Sequence, residues 1–569
     1  MTERTIPSLI RDNAQRFGDL PALSWPVAGG RETLDWRQAR QLIAHVACGL
    51  ADLGVRRGER VALMMGNRAE HWLADLAAVH LGATPCTVYA TMPPSQISYV
   101  ARHSRAAIAI LEGDDQLRRW LPILGELPDL RHIVVVDRSA VPARPADLRF
   151  VTWSNVVATG RSAFEADPRP FEAGWRSASA DDPLTLVYTS GTTGKPKGVL
   201  LTHRNVLANA DGLDAAARVP DHFRNVCYLP LAHIAERMVS IYLPIHKAGH
   251  VNFCADQGRL LAELAEVRPT LFFGVPRVWE KIAAGLRAAF GDLTDGGATP
   301  ANPVAMLAAV GLDQVTWACS AGAPLASDVQ RYFGALGLTI LESWGMTETT
   351  GVATTTDADQ FRFGSVGTAT AGNEIKLLAD GEVLVRGPVV CAGYLQQDGT
   401  VVPAADSDGW MHTGDVGRLD DDGFLYIVDR KKDLIITSGG KNIAPALVEN
   451  LLGKHPLIGQ ALVYGDRQPY LVALVVLDAE AARAWAAARG IDGGSLAELS
   501  EHPAIIAEIS GAVDTANAEL SRAEQVKRFR VLATEWTVEG GELTPSLKLM
   551  RSVVQDNHQH DIASLYGGR

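Results

Sequence analysis

None of the six cysteines has another within three residues, so neither a C-x-x-C redox pair nor a paired-thiolate zinc knuckle is present. Single, scattered thiols at 48, 86, 227, 254, 319 and 391 predict a reducing, cytoplasmic location without a disulfide framework. Also missing is any run of ~18 apolar residues, the length a membrane-spanning helix requires. The opening Met1 to Pro7 has no apolar core of the kind a secretory leader carries. Basic charge is in deficit: 53 Lys and Arg stand against 65 Asp and Glu, a formal charge of −12. That balance argues against nucleic acid as a partner and against strong attraction of the whole protein to anionic lipid. A local basic site such as Arg118-Arg-Trp120 still leaves peripheral contact with the inner membrane face open. No 20 to 50 residue repeat is discernible.

What is present is a soluble globular composition, 47% hydrophobic and 21% charged, over 569 residues, enough for three or four folding units. Up to about residue 340 helical spacing alternates with short apolar strands. Residues 36–53 and 69–81 read as helices, 60–64, 84–88 and 184–187 as strands, which predicts layered α/β structure with parallel sheets. Short strands at 374–378, 382–385 and 424–428, separated by Asp-Gly turns, predict a small β-rich, barrel-like subdomain over roughly 362–429. Beyond Lys431 and Lys432 a compact α+β tail is expected, with a strand at 471–476 and an amphipathic helix at 501–524. The predicted division is residues 1–431, two layered α/β subdomains plus the β-rich one, then a small mobile domain at 432–569.

The segment richest in chemistry is Tyr188-Thr-Ser-Gly-Thr-Thr-Gly-Lys-Pro-Lys-Gly-Val199, which directly follows a core strand. Glycines, hydroxyls and two lysines can turn N–H and O–H donors toward phosphate oxygens while neutralising their charge. It is not a Walker loop, because Gly191 and Gly194 are too close together and Pro196 follows Lys195 where a helix should begin. Neither does the chain carry the motif set of a kinase.

This loop resembles the phosphate loop of the adenylate-forming enzymes, the superfamily of acyl-CoA synthetases, luciferases and peptide-synthetase adenylation domains. Five further segments match that family in order. The resemblance implies that Thr189, Ser190, Gly191, Thr192, Thr193, Gly194, Lys195 and Lys197 bind ATP phosphates. In Leu341-Glu-Ser-Trp-Gly-Met-Thr-Glu348 it implies that Trp344 and Gly345 lie against adenine and that Thr347 meets the α-phosphate. Glu348, with Thr189, is implied to hold Mg2+; tyrosine is commoner at the Trp344 position, so a hydroxyl contact is lost. Gly322 and Ala323, in Ser320-Ala-Gly-Ala-Pro324, fall where backbone passes over adenine.

Asp415 and Arg430 match the ribose clamp, and Lys432 matches the pivot of the hinge. Gly439 and Gly440 match the loop lining the CoA arm. Lys548, in Leu543-Thr-Pro-Ser-Leu-Lys, matches the lysine that bridges acyl carboxylate and α-phosphate. Leu229-Pro-Leu-Ala-His-Ile-Ala-Glu-Arg237, Phe273-Gly-Val-Pro-Arg-Val-Trp-Glu-Lys281 and residues 431–442 are similar to the long-chain fatty acyl-CoA ligase branch, especially its actinobacterial and bubblegum-type members. There His233 falls at the gate between acyl tunnel and nucleotide. Ile234 and Ala235 offer no counter-charge to an amine, so an apolar acid is favoured. The implied substrates are a long-chain fatty acid, ATP and CoA. Transfer to a carrier protein instead of CoA stays open, as does a nucleotide-binding scaffold without catalysis, although Lys548 and Glu348 are both present.

Overall fold

The computed structural model describes residues 4–137, 139, 149–189, 195–291, 302–357, 359–439, 441–491, 494–538, 540–544 and 548–567, and every count below refers to these. The centre is a nine-stranded sheet in which Pro183–Thr189, Thr84–Thr87, Arg60–Met64, Ala106–Leu111, His132–Val135 and Arg149–Thr152 run parallel. Apolar residues fill both faces of strands such as Ala106–Leu111, buried at every position, as parallel strands covered by helices on both sides require. Lys197–Thr202 returns antiparallel beside Pro183–Thr189, so the two strands flanking the phosphate-loop segment pair with each other.

A second sheet pairs Leu271–Gly274, Trp317–Ser320 and Ile340–Trp344 in parallel. A third joins Arg224–Cys227, His250–Phe253, Pro21–Val27 and Gly30–Asp35. Helices start where the sequence supplies caps: Asp35 and Gln38 form a capping box on Trp36–Asp52, and Thr202 and Asn205 form one on His203–Ala217. Trp36, Trp72 and Trp279 are fully buried anchors between these layers.

The β-rich region is an antiparallel sheet of Glu374–Leu377, Glu382–Arg386, Met411–Leu419 and Leu425–Arg430. Two strands from the same interval, Gly393–Leu395 and Val401–Val402, instead extend the nine-stranded sheet by pairing with Lys197–Thr202. Turn spacing locates strands but does not name their partners, and this excursion matters at the site. Lys431 is pinned to the β-rich sheet: its N–H donates to Gly414 and its ammonium pairs with Asp380 at 2.7 Å and Glu382 at 2.8 Å. Beyond it, Ile458–Tyr464, Leu471–Leu477 and Val526–Leu532 form a separate three-stranded sheet with its own apolar core.

Two local expectations need correction. The helix expected over 501–524 is present but shorter, Pro503–Ala518: Pro503 opens it, and residues 519–525 turn toward the strand Val526–Leu532. The Arg118-Arg-Trp120 segment does not offer its aromatic to a lipid surface: Trp120 is fully buried and its Nε1–H donates to Met64 Sδ at 3.0 Å. No described helix is long and apolar enough to cross a membrane.

Candidate active site

Asp415 and Arg430 face each other across paired strands. The Asp415 carboxylate is buried, and its Oδ2 accepts the indole Nε1–H of Trp344 at 2.9 Å. Its Oδ1 lies 2.8 Å from Arg430 Nε as an ion pair yet accepts no hydrogen bond from a described residue. Burial raises the Asp415 pKa, while Arg430, the indole N–H, Lys548 and Lys432 oppose the rise. A buried acceptor with unspent lone pairs is costly unless a ligand satisfies it, and a vicinal diol is a fitting donor.

Lys548 is presented to the same site and tied to Thr544, whose N–H donates to Lys548 C=O at 2.8 Å and whose Oγ1 accepts Lys548 N–H at 3.0 Å. The intervening 545–547 lie outside the described residues. The lysine side chain keeps access to solvent while dense surroundings, then Arg430, lower its pKa against the pull of Asp415. His233 is held neutral: burial, then the charge of Lys548, lowers its pKa to about 3. Its Nδ1 accepts Ala235 N–H at 3.3 Å, capping the turn Ile234–Arg237. That turn is fixed by Arg237, fully buried and paired with Asp75 at 2.7 Å, with Thr87 Oγ1 and Tyr242 OH completing the cluster.

Of the phosphate loop, residues 190–194 lie outside the described residues. Its shoulders are in place, with Thr189 and Lys197 opposite each other on the paired strands. Lys195 Nζ sits 5.6 Å from the Tyr99 ring centroid, and Lys197 Nζ 5.1 Å from that of Tyr394. Tyr394 OH in turn donates to Glu348 Oε1 at 3.2 Å. Thr347 and Glu348 occupy one short turn, Thr347–Thr349, after strand Ile340–Trp344. The turn demands glycine at 345, where a Cβ would lie 2.3 Å from Gly351 C=O. Gly351, at φ +106°, abuts Met238 and Ile234, joining this turn to the segment that carries His233.

Glu348 offers one carboxylate, which a divalent ion there would share with ligand oxygens and water, a donor set that suits Mg2+. Gly322 and Ala323 form an exposed bare loop after strand Trp317–Ser320, and Ser320 is in register with Glu342, two residues before Trp344.

The Lys432 ammonium is lowered by burial and by Arg430, and it feels both Asp415 and Lys197, so the hinge candidate borders the nucleotide cluster. Gly439 lies beyond it in a loop whose Ser438 N–H donates to Gln468 C=O, and Gly440 lies outside the described residues. Sequence motifs include Asp429 and Arg277 without showing their contacts, and they leave out Tyr394 altogether. Asp429 Oδ2 accepts Ala446 N–H at 3.0 Å, capping helix Pro445–Gly453 from the far side of the hinge. Arg277 donates to Gly459 C=O at 2.9 Å and sits 3.6 Å from Asp478. Tyr394 lies in a strand whose only local signal is Gly393 at φ +147°.

The family model described as AMP-binding enzyme matches residues 10–395, and that described as AMP-binding enzyme C-terminal domain matches 432–569. The chain is 34% identical to the long-chain-fatty-acid–CoA ligase FadD15 of Mycobacterium bovis, covering 93% of this chain and 91% of that protein. It is 31% identical to the long-chain-fatty-acid–CoA ligase ACSBG2 of Xenopus laevis, over 99% of this chain and 84% of the relative. Among solved structures, the adenylation domain of a carboxylate reductase from Mycobacterium chelonae superposes with a TM-score of 0.77 at 21% identity, covering 99% and 91% of the two chains.

Proposed function

The chain belongs to the AMP-binding enzyme family, and from that premise we propose that it is an AMP-forming ligase joining long-chain fatty acids to CoA. It activates the acid to acyl-AMP at the expense of ATP, releasing pyrophosphate, and transfers the acyl group to the CoA thiol. The observation that carries the residue assignments is the buried Asp415 carboxylate, oriented by Trp344 and Arg430, with Lys548 close enough to perturb it.

In this reading Asp415 accepts the ribose hydroxyls and Trp344 gives its ring face to adenine while its N–H fixes the carboxylate. The loop at Gly322 and Ala323 passes over the base. Thr189, Lys195, Lys197 and Thr347 bind phosphate oxygens, together with residues 190–194. Glu348 and Thr189 would hold the Mg2+ that accompanies the nucleotide and offsets phosphate charge. The acyl carboxylate oxygen attacks the α-phosphorus as the bond to the β-phosphate oxygen breaks, and Lys548 stabilises the charge crowded between them. His233, neutral at physiological pH, adds no charge beside the incoming carboxylate.

The second half-reaction needs Lys548 withdrawn and a path for the thiol, and Lys432 is the pivot we assign, with residues 432–569 as the moving unit. Gly439 and Gly440 then line the path. A reducing compartment suits the six cysteines, of which none described is in a disulfide. The test is pyrophosphate release across a panel of acetate, aryl and C8 to C18 acids, with and without CoA. Release dependent on long-chain acid, with thioester formed only when CoA is added, supports the reading; best turnover with acetate or an amino acid contradicts it.

A further inference from the structure

Residues 391–394 hold Glu348 from two sides. Cys391 N–H donates to the Glu348 backbone C=O at 2.8 Å, and Tyr394 OH donates to its carboxylate Oε1. The same tyrosine ring lies under Lys197 Nζ. Its strand is locked to the strand leaving the phosphate loop, with Tyr394 opposite Val199 and Ala392 N–H on Leu200 C=O at 3.1 Å. The backbones approach closely here: a Cβ on Gly393 would fall 2.1 Å from Val402 C=O. One side chain on this paired strand therefore meets both a phosphate-loop cation and the carboxylate assigned to the metal.

We propose that Tyr394 is a positioning residue that sets the affinity of the nucleotide-loaded site for its divalent cation; this rests on the functional reading above. The hydroxyl occupies one lone pair of Oε1 and so leaves Oε2 as the freer oxygen that Glu348 would offer a hard cation. The Tyr394 ring face holds the Lys197 ammonium by cation–π attraction, so lysine and carboxylate meet the phosphates at a fixed spacing. A partner that orients a metal-binding carboxylate typically changes metal affinity about 10 to 100-fold when removed.

The test is binding of Mn2+, followed by electron paramagnetic resonance, to the full-length protein with a non-hydrolysable ATP analogue. Tyr394→Phe, which keeps the ring and loses the hydroxyl, is expected to weaken Mn2+ about 10-fold while leaving the fatty-acid KM unchanged. Tyr394→Leu, which also loses the ring, should weaken Mn2+ at least as much and raise the KM for ATP. Thermal unfolding of each variant controls for folding, and a role in packing alone would move the melting temperature without moving Mn2+ affinity in Tyr394→Phe. Equal Mn2+ affinity in wild type and Tyr394→Phe overturns the proposal while the ligase reading stands. A wild type without nucleotide-dependent Mn2+ binding overturns both.

Discussion

The indole Nε1–H of Trp344 donates to Asp415 Oδ2 at 2.9 Å, so the residue assigned to adenine also orients the residue assigned to ribose. A tyrosine at this position would stack as well, but its hydroxyl projects from the far end of a shorter ring.

Trp344→Phe keeps an aromatic face and deletes the donor. A hydrogen bond to a charged group contributes about 1.5 to 3 kcal/mol, so the KM for ATP should rise about 10-fold or more with the fatty-acid KM unchanged. Steady-state kinetics with each substrate varied in turn would show this. Equal change in both KM values would mean that the indole serves packing alone.

Arg277 holds the C-terminal sheet against helix Pro276–Phe290 through Gly459 and Asp478. Because this contact is exposed and worth at most about 1 kcal/mol, Arg277→Ala should slow adenylation by no more than about 5-fold. Thioester formation from supplied acyl-AMP should be undiminished. Lys432→Pro, which fixes φ at the assigned pivot, should instead leave adenylation near normal and cripple thioester formation. Undiminished overall ligation in Lys432→Pro would move the pivot elsewhere.

How much of this arrangement was legible in the sequence depends on range. Strands Arg60–Met64 and Leu471–Leu477 and helix Trp36–Asp52 show in local periodicity and capping, and the structure places them within a residue or so of expectation. Trp344, Asp415, Arg430 and Lys548 could be singled out as candidates because each sits in a compact motif. The contacts of Tyr394, Asp429 and Arg277 could not be read in this way, since they span 46, 17 and 182 positions, respectively. No local pattern encodes that the strand at 393–395 leaves its neighbours to pair with 197–202.

Fully buried His71, between Gly66 C=O and Thr87 Oγ1, has its pKa pushed down to about 3 by burial, then by Arg237. An unfolded histidine binds its proton near 6.5, so between pH 6.5 and 3 the unfolded state takes up more protons and stability falls as pH falls. At pH 5 this group alone disfavours the fold by about 2 kcal/mol relative to pH 7. Thermal scans should show a larger loss of melting temperature from pH 7 to 5 in wild type than in His71→Gln. Parallel losses would exclude His71 as the source.

Substrate preference should follow methylene burial, because Ile234 and Ala235 supply no charge for a polar acyl group. At about 0.8 kcal/mol per methylene, binding improves roughly fourfold per carbon until the tunnel is full. We expect kcat/KM for acids of about C12 to C18 to exceed that for acetate by several orders of magnitude. A flat profile from C2 to C16 would remove the long apolar tunnel from the account.

The central claim is that one lysine serves the first half-reaction on a site shared with the second, and Lys548→Ala tests it most directly. The folded variant is given ATP and palmitate in one assay, and preformed palmitoyl-AMP and CoA in another. The account expects pyrophosphate release to vanish while thioester forms at close to the wild-type rate. Equal loss of both half-reactions, or pyrophosphate release that survives, would contradict it.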